Sequence, residues 1–533
     1  MAYSRPVNNF SRLSQITIIL GMVLIVVRLC LWHVYLDKND KRDRKFIQGK
    51  EAVTGMHCAN DRSRWATVVA LVHHHTFAID EVDPLRGKHG NWGTIDKVYH
   101  ADKSGTERFY SSKPPLYNLV LAGQYWIIHA VTGLNILEHP MPIIKLLTLV
   151  NQGIPLLVIL ICLAKVGTEI IENRRLYSLY LVAITFGTFL TTFAVTLNNH
   201  IPAALFALLA ILECRQLVND TSNSKSYAIV GLYAALCVTF ELPALALLLL
   251  LGIWCLTLDF KRTIAFGVPP ILLVATIYLG INKVAHDSWR PPYAHRADNT
   301  VLEVLSIEDG DSLLSGILPD NVDLFSGSMP GIGNYRIEPH PSDGRWRIYD
   351  YGNNVRYAML RKESTYEIRG WDNWYDYEVN GRKSYWLPGQ ASGVDLGESS
   401  RVTYLFNLTI GHHGFFSLSP ILLFGLAGIF SQLRTKNSFW KPLARITLAL
   451  TVILLIFYVL RPLQDRNYGG VASGFRWMFW LIPLYSLFLA KCIHSSRRSF
   501  FLLLIFLIAL VVSIYSAHYG FLNPWQNPWP YSN

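Results

Sequence analysis

Long apolar runs recur along this chain, and the short loops between them are rich in lysine and arginine. A run of about 20 apolar residues is what a helix needs to cross a ~30 Å hydrocarbon layer. Backbone inside lipid must satisfy its own hydrogen bonds, so repeated runs leave an all-α polytopic membrane bundle as the expected fold class. The runs fall at 16–35, 142–165, 177–196, 201–216, 226–241, 243–258, 264–283, 416–432, 445–461, 477–493 and 499–517, which predicts about eleven transmembrane helices. Several are only 16–17 residues long, at the short end for a crossing.

A formal net charge of +11 would suit a nucleic-acid partner. The basic residues, however, cluster in the short loops, where they orient a membrane protein, so nucleic acid is excluded. Arg5 and Arg12 precede the first run and place the N-terminus in the cytoplasm. That run, Ile16 to Leu36, is too long for a signal peptide and no small-residue cleavage site follows, so it is read as a retained helix. The loop from Asp37 to Lys113 then lies outside. Tyr117–Thr132 is short and carries Gln124 and His129. The loops 165–175, 434–445, Lys261–Arg262 and Lys491–Arg498 all face inward only if this segment does not cross, so it is expected to lie in the interface or re-enter. Glu241-Leu242-Pro243 becomes an outer hairpin. Six of the seven cysteines lie in or beside apolar runs, leaving Cys58 in the polar loop, so no disulfide framework or zinc spacing emerges.

Two polar regions remain outside. In the first, Ser63–His75 reads as an amphipathic helix along the membrane surface. The second, 284–415, alternates apolar with polar residues over Arg345–Tyr351, Arg356–Leu360, Thr365–Trp371 and Asp376–Val379, with Gly-Asn, Asn-Gly and Ser-Asp-Gly turns. That pattern predicts a small β-rich insertion. The expected division is a membrane module over 1–283 that includes the outer loop 37–115, the insertion over 284–415, and C-terminal transmembrane helices with an outer tail over 416–533.

Five outer clusters carry chemistry. Asp61-x-x-Arg64-Trp65-Ala66 puts a carboxylate and a guanidinium on one helix face, where they can take a proton and hold an anion. A surface salt bridge worth ~0–1 kcal/mol is the commoner outcome of that spacing. Lys113-Pro114-Pro115-Leu116 sets a lysine where a helix begins, a ready anion site, with a snorkelling anchor as the equal alternative. Asn198-Asn199-His200-Ile201-Pro202 is a tight outer turn; turn formation explains the asparagines but not His200. In Gly411-His412-His413-Gly414, adjacent side chains are expected to diverge, so a metal is not expected there. Asn467-Tyr468-Gly469-Gly470 with Ser473-Gly474-Phe475-Arg476 suits close approach of a ligand, with a flexible loop and an aromatic belt at Trp477 and Trp480 as the rival. Asp80, Glu81, Asp83, Asp96 and His73–His75 add titratable groups, and Glu241 reaches toward the same face. Arg28, inside the first run, faces either the bundle interior, a phosphate or the interface.

Asp61-x-x-Arg64-Trp65-Ala66 followed by Lys113-Pro114-Pro115-Leu116, after one N-terminal run, resembles the first outer loop of the GT-C membrane glycosyltransferases. The resemblance is to the branch holding the aminoarabinose–lipid A transferases and the protein O-mannosyltransferases. It covers 61–120 and extends through the pattern of runs to about 260. It implies an inverting hexosyl- or pentosyltransferase that moves a sugar from a polyprenyl-phosphate carrier to a hydroxyl of a lipid, glycan or protein acceptor at the outer face. Asp61 would be the base, and Arg64 and Lys113 would hold the donor phosphate. Asp80, Glu81, Asn199, His200, His412, His413 and Arg476 are candidate substrate-binding residues. The expected location is a bacterial inner (plasma) membrane with the site extracytoplasmic. The chain departs from the branch at Asn199-His200, where an aspartate is common, and at Ser112, where the aminoarabinose enzymes have a metal-linked glutamate. No metal is therefore predicted at Ser112, and no cofactor is predicted, with a divalent ion left open. The competing readings are a transporter or flippase for a polyprenyl-linked glycan, and a non-catalytic scaffold. A transporter needs charged residues in mid-membrane and broken helices, whereas here the ionisable residues gather at one face.

Overall fold

The computed structural model describes residues 12–30, 58–87, 90–317, 319, 335–350, 355–496, 499–522 and 524–531. Expectations resting on Arg5, on 31–35, on 37–57 of the first outer loop and on Arg498 lie outside the described residues.

Among the described residues seven helices are long and apolar enough to cross a membrane: Pro140–Ile170, Arg174–Phe193, His200–Asn219, Phe260–His286, Trp440–Val459, Arg476–Ser495 and Phe500–Leu522. Seven such helices imply an integral membrane protein. The apolar helices Ser14–Cys30, Ser224–Phe240, Leu242–Leu258 and Ile421–Leu433 are shorter. The expected eleven crossings are therefore not established: among the described residues seven helices reach the length that a ~30 Å layer asks for, and Ser14–Cys30 is described only as far as Cys30. Pro115–Thr132 is one 18-residue helix outside the seven, opened by Pro115 in its first turn and closed by Gly133 at φ 71°.

Close backbone approach sets part of the packing. Ile421–Leu433 lies on the helix Ile482–Ser496, where a Cβ at Gly425 would stand 2.7 Å from the Tyr485 carbonyl oxygen and one at Gly428 would run into that of Phe488. Arg28 turns toward the last helix. Its guanidinium donates to the carbonyls of Phe521 and Leu522 and caps the last helix. The end of the first helix and the end of the last therefore meet at one end of the bundle.

The helix expected over Ser63–His75 spans Ala59–His73 and is not amphipathic: Asn60, Asp61 and every residue from Ser63 to Ala70 are buried. Its polar residues are covered because they have partners. The hairpin Lys97–Ala101/Glu107–Ser111 lies against it, with the Ser63 and Ser111 hydroxyls 2.6 Å apart, and Pro115–Thr132 packs alongside.

In the insertion, five antiparallel strands lie in the spatial order Val301–Leu305, Tyr366–Gly370, Val355–Arg361, Arg345–Asp350, Tyr335–Pro339. Leu305, Leu313, Ile348, Met359, Tyr366 and Ile368 fill its core. Of the expected strand Asp376–Val379 only Glu378–Val379 pairs, in a separate hairpin with Arg382–Lys383. Asn380 and Gly381 turn it with φ of 50° and 73°, the geometry an Asn-Gly hairpin turn provides. Trp374 pins the insertion to the first outer loop: its ring stacks at 3.5 Å from His295 and 3.9 Å from His100, and its carbonyl accepts the Tyr99 N–H.

Candidate active site

Three cations from distant parts of the chain converge at this end of the bundle. Arg64, one turn into the buried helix, donates to the carbonyl and side-chain oxygens of Asn60 and, at 3.0 Å, to Asn199 Oδ1. Arg476 opens the turn before Ile482–Ser496 and donates from Nε to the Gly469 carbonyl and from Nη1 to His200 Nε2 at 2.9 Å. Gly469 is bare at φ 96° because a Cβ there would press 2.6 Å from that Nε. Lys113 stands just before Pro115–Thr132 and pairs with Asp96 Oδ2 at 3.2 Å, in the electrostatic field of both arginines. Burial lowers the Lys113 ammonium from its ordinary pKa, opposed by Asp96, and burial likewise lowers the Arg64 guanidinium.

A buried relay connects the two guanidiniums. Glu241 Oε1 accepts from Asn199 Nδ2 at 2.6 Å and from His200 Nδ1. An arginine can only donate, so His200 Nε2 must be the acceptor, and its proton sits on Nδ1 facing Glu241. Arg64, Asn199, Glu241, His200 and Arg476 thus form one connected line. The tight turn before His200–Asn219 supplies two of its members, as His200 in the sequence hinted.

Asp61 is 1% exposed. Its Oδ2 accepts from Thr196 Oγ1 at 2.8 Å and its Oδ1 from Cys58 Sγ at 3.4 Å. Burial holds the Cys58 thiol well above its usual range, so it remains a donor. Thr196 in turn accepts from Trp525 Nε1 at 2.9 Å, and the Trp525 ring lies under Arg476 at 5.1 Å. The Asp61 carboxylate is therefore oriented from several sides at once.

The remaining candidates stand elsewhere. Both Asp80 oxygens accept from the Phe109 N–H at 3.1–3.2 Å. Asp80 lines a polar cavity of about 330 Å³ with Asp83, Phe109 and Arg382, while Glu81 is exposed. Asp80 braces the hairpin through Phe109 rather than joining the cations. Contrary to the expected divergence, the Nδ1 atoms of His412 and His413 face each other, and the His413 ring stacks on Tyr468 at 4.1 Å. Burial lowers both imidazoles, His413 far more, so they form a neutral pair. The Phe475 N–H donates to the His413 carbonyl at 2.9 Å, which fixes the backbone leading into Arg476. Among the described residues no group of three or more His, Cys, Asp or Glu is arranged to hold a metal.

No family model matches the sequence, and no curated protein does. Among solved structures the chain is similar to the oligosaccharyltransferase of Archaeoglobus fulgidus. The crystal structure in complex with zinc and sulfate aligns with a TM-score of 0.43 at 13% identity, covering 96% of this chain and 53% of that one. The form tethered with an acceptor peptide containing the NVT sequon gives 0.42 at 12% identity, with coverages of 97% and 56%. The archaeal enzyme AglB in complex with an inhibitory peptide and a dolichol-phosphate gives 0.40 at 11% identity, again with 97% and 56%. The chain spans about half the length of these proteins.

Sequence reasoning missed Thr196, Trp525 and Asp395. Thr196 sits inside an apolar run and Trp525 in an aromatic tail, where neither stands out. Asp395 is one of many aspartates in the insertion. Its distinguishing mark is a buried carboxylate oxygen, Oδ1, with no hydrogen-bond partner among the described residues.

Proposed function

We propose that this chain is an inverting glycosyltransferase that moves a sugar from a polyprenyl-phosphate carrier to an acceptor hydroxyl at the outer face of the membrane, with its N-terminus inside. One observation carries the reading: two buried guanidiniums, Arg64 and Arg476, are held by the neutral groups Asn60, Asn199, Gly469 and His200. Neutral partners leave their charge for an anion. Lys113 completes a three-cation cradle, and it stands at a helix start where unpaired amides add to the field.

In the reaction, the acceptor oxygen attacks the anomeric carbon as the carbon–oxygen bond to the phosphate breaks. The departing phosphate gains negative charge, and pre-placed cations stabilise that charge in a water-poor site. A nearby carboxylate takes the hydroxyl proton; Asp61 is the sequence's candidate. The line from Arg64 to Arg476 fixes the spacing of the two arginines around the phosphate.

The test is mass spectrometry of envelope lipids, glycans and proteins from cells lacking the chain. One missing hexose or pentose, restored by wild type and not by Lys113→Ala, is expected. An unchanged glycan, lipid and protein profile overturns the reading.

A further inference from the structure

We propose that Asp395, delivered by the insertion, is the carboxylate that receives the proton of the acceptor hydroxyl. The inference rests on the glycosyltransferase reading and names the group on the acceptor side of the same site.

Asp395 lies in the short turn Gly393–Leu396 of the insertion, just before the helix Arg401–Thr409. The turn is held tightly. Gly397, at φ 81°, has no room for a Cβ against the Leu463 carbonyl, and the Glu398 N–H donates to the Arg466 carbonyl at 2.8 Å. One carboxylate oxygen, Oδ2, accepts from the Tyr385 hydroxyl at 3.1 Å. The other, Oδ1, is buried and has no hydrogen-bond partner among the described residues. A buried carboxylate oxygen without a donor costs free energy unless something else fills the role.

What lies in front of Oδ1 is Gly470, where even an added Cβ would stand 3.7 Å away. Asp395 interacts electrostatically with Lys113 and Arg476, two of the three phosphate-holding cations, and with Asp96. Gly470 adjoins Gly469, whose carbonyl accepts from Arg476 Nε, so a hydroxyl that reaches the unpartnered oxygen past Gly470 comes up beside that guanidinium and can donate its hydrogen bond there. Asp61 is less suited, because the Thr196 hydroxyl and the Cys58 thiol already donate to its two oxygens. Its role is then to orient and to tune the field.

The step balances. The acceptor O–H bond breaks and its proton passes to Asp395 Oδ1. The oxygen's electron pair forms the new bond to the anomeric carbon. The bond to the phosphate oxygen breaks, and that pair leaves on the prenyl phosphate. Burial raises the Asp395 pKa from its ordinary value, so the base is a stronger one and becomes available only as pH rises past that raised value.

The experiment uses the full chain in nanodiscs and in complemented deletion cells. Asp395→Asn should lower transfer, read as the restored glycoconjugate, by about 100-fold or more, the scale of a lost general base. Asp395→Glu should recover part of it and keep the acid limb of the pH profile. Binding of undecaprenyl phosphate to Asp395→Asn should stay within about twofold of wild type, while Lys113→Ala weakens it, as expected for a charge-assisted contact. In wild type, dicyclohexylcarbodiimide, which labels protonated buried carboxyls, should modify Asp395 and do so less as pH rises. Transfer by Asp395→Asn within about threefold of wild type overturns the inference alone. So does loss of undecaprenyl phosphate binding in that variant, or absence of the label at Asp395, a result that stands even if the variant fails to fold. If wild type and Lys113→Ala bind undecaprenyl phosphate equally poorly, the donor reading falls and takes this inference with it.

Discussion

A cation held by amides and carbonyls offers more of its charge to an incoming anion than one already paired with a carboxylate. Arg64 and Arg476 are of the first kind; Lys113, paired with Asp96, is of the second and is partly drawn away from any ligand. Lys113→Ala should therefore weaken prenyl-phosphate binding by about 10- to 100-fold, the scale of one charge-assisted hydrogen bond, with a smaller effect on kcat. The pH dependence follows from its lowered pKa. Lysine binds an anion only while protonated, so affinity should fall as pH rises through that lowered value, earlier than the ~10.4 of an ordinary lysine allows. Lys113→Arg should hold its affinity to higher pH, and a titration of undecaprenyl phosphate binding against pH compares the two. Asp61→Asn removes the charge but leaves acceptor capacity for Thr196, so expression should persist while turnover drops sharply, measured by the same glycoconjugate readout. At this scale much was legible beforehand. Asp61, Arg64 and Lys113 sit in recognisable local patterns, and His200 was conspicuous because turn formation did not need it. Asp395 was not legible, since its meaning comes from burial and from a neighbour 75 residues away at Gly470.

Helices and strands were legible to different degrees, for a physical reason. Alternation in 345–371 marked the three central strands, Arg345–Asp350, Val355–Arg361 and Tyr366–Gly370, while Val301–Leu305 and Tyr335–Pro339, which complete the sheet, carried no such signal. The helix Ala59–His73 shows no such simple pattern. Its polar residues face partners from a hairpin nearly fifty residues further on, so polarity there signals an interior network and not solvent. Apolar runs located the bundle helices but not their lengths, because a run's ends depend on which residues the neighbours bury. Where helices meet through glycine the sequence offers no warning either. Gly428 lets Ile421–Leu433 touch the backbone of Ile482–Ser496 at Phe488. Gly428→Ala places a methyl into a carbonyl that cannot easily yield, so a loss of about 1–3 kcal/mol is expected from overpacking. A lowered melting temperature in detergent, with undecaprenyl phosphate affinity per folded molecule unchanged, is the result to look for. Equal loss of affinity would tie this helix pair directly to the cradle.

Across the whole molecule, the C-terminal segment of the described chain closes over the site. Arg28 of the first helix caps the last helix at Phe521 and Leu522. The segment beyond it then folds back: the Pro524 carbonyl accepts the Ser473 N–H at 3.0 Å, and Tyr531 packs 4.9 Å from His412. Between these anchors Trp525 donates to Thr196, which donates to Asp61, while its ring lies under Arg476. One side chain thus supports the carboxylate through a hydroxyl and the cation through its π face, an interaction worth roughly 0.5–2 kcal/mol for a partly desolvated pair. Trp525→Phe keeps an aromatic face and removes only the N–H donor. It should lower kcat severalfold with prenyl-phosphate affinity nearly intact, because Thr196 loses the partner that orients it. Ending the chain after Leu522 removes both supports and opens the site to water, so turnover should fall by about 100-fold or more and affinity should fall with it. Measured side by side in nanodiscs, the two variants separate orientation from enclosure. A truncated chain that keeps wild-type turnover would mean that the tail only rests against a site complete without it.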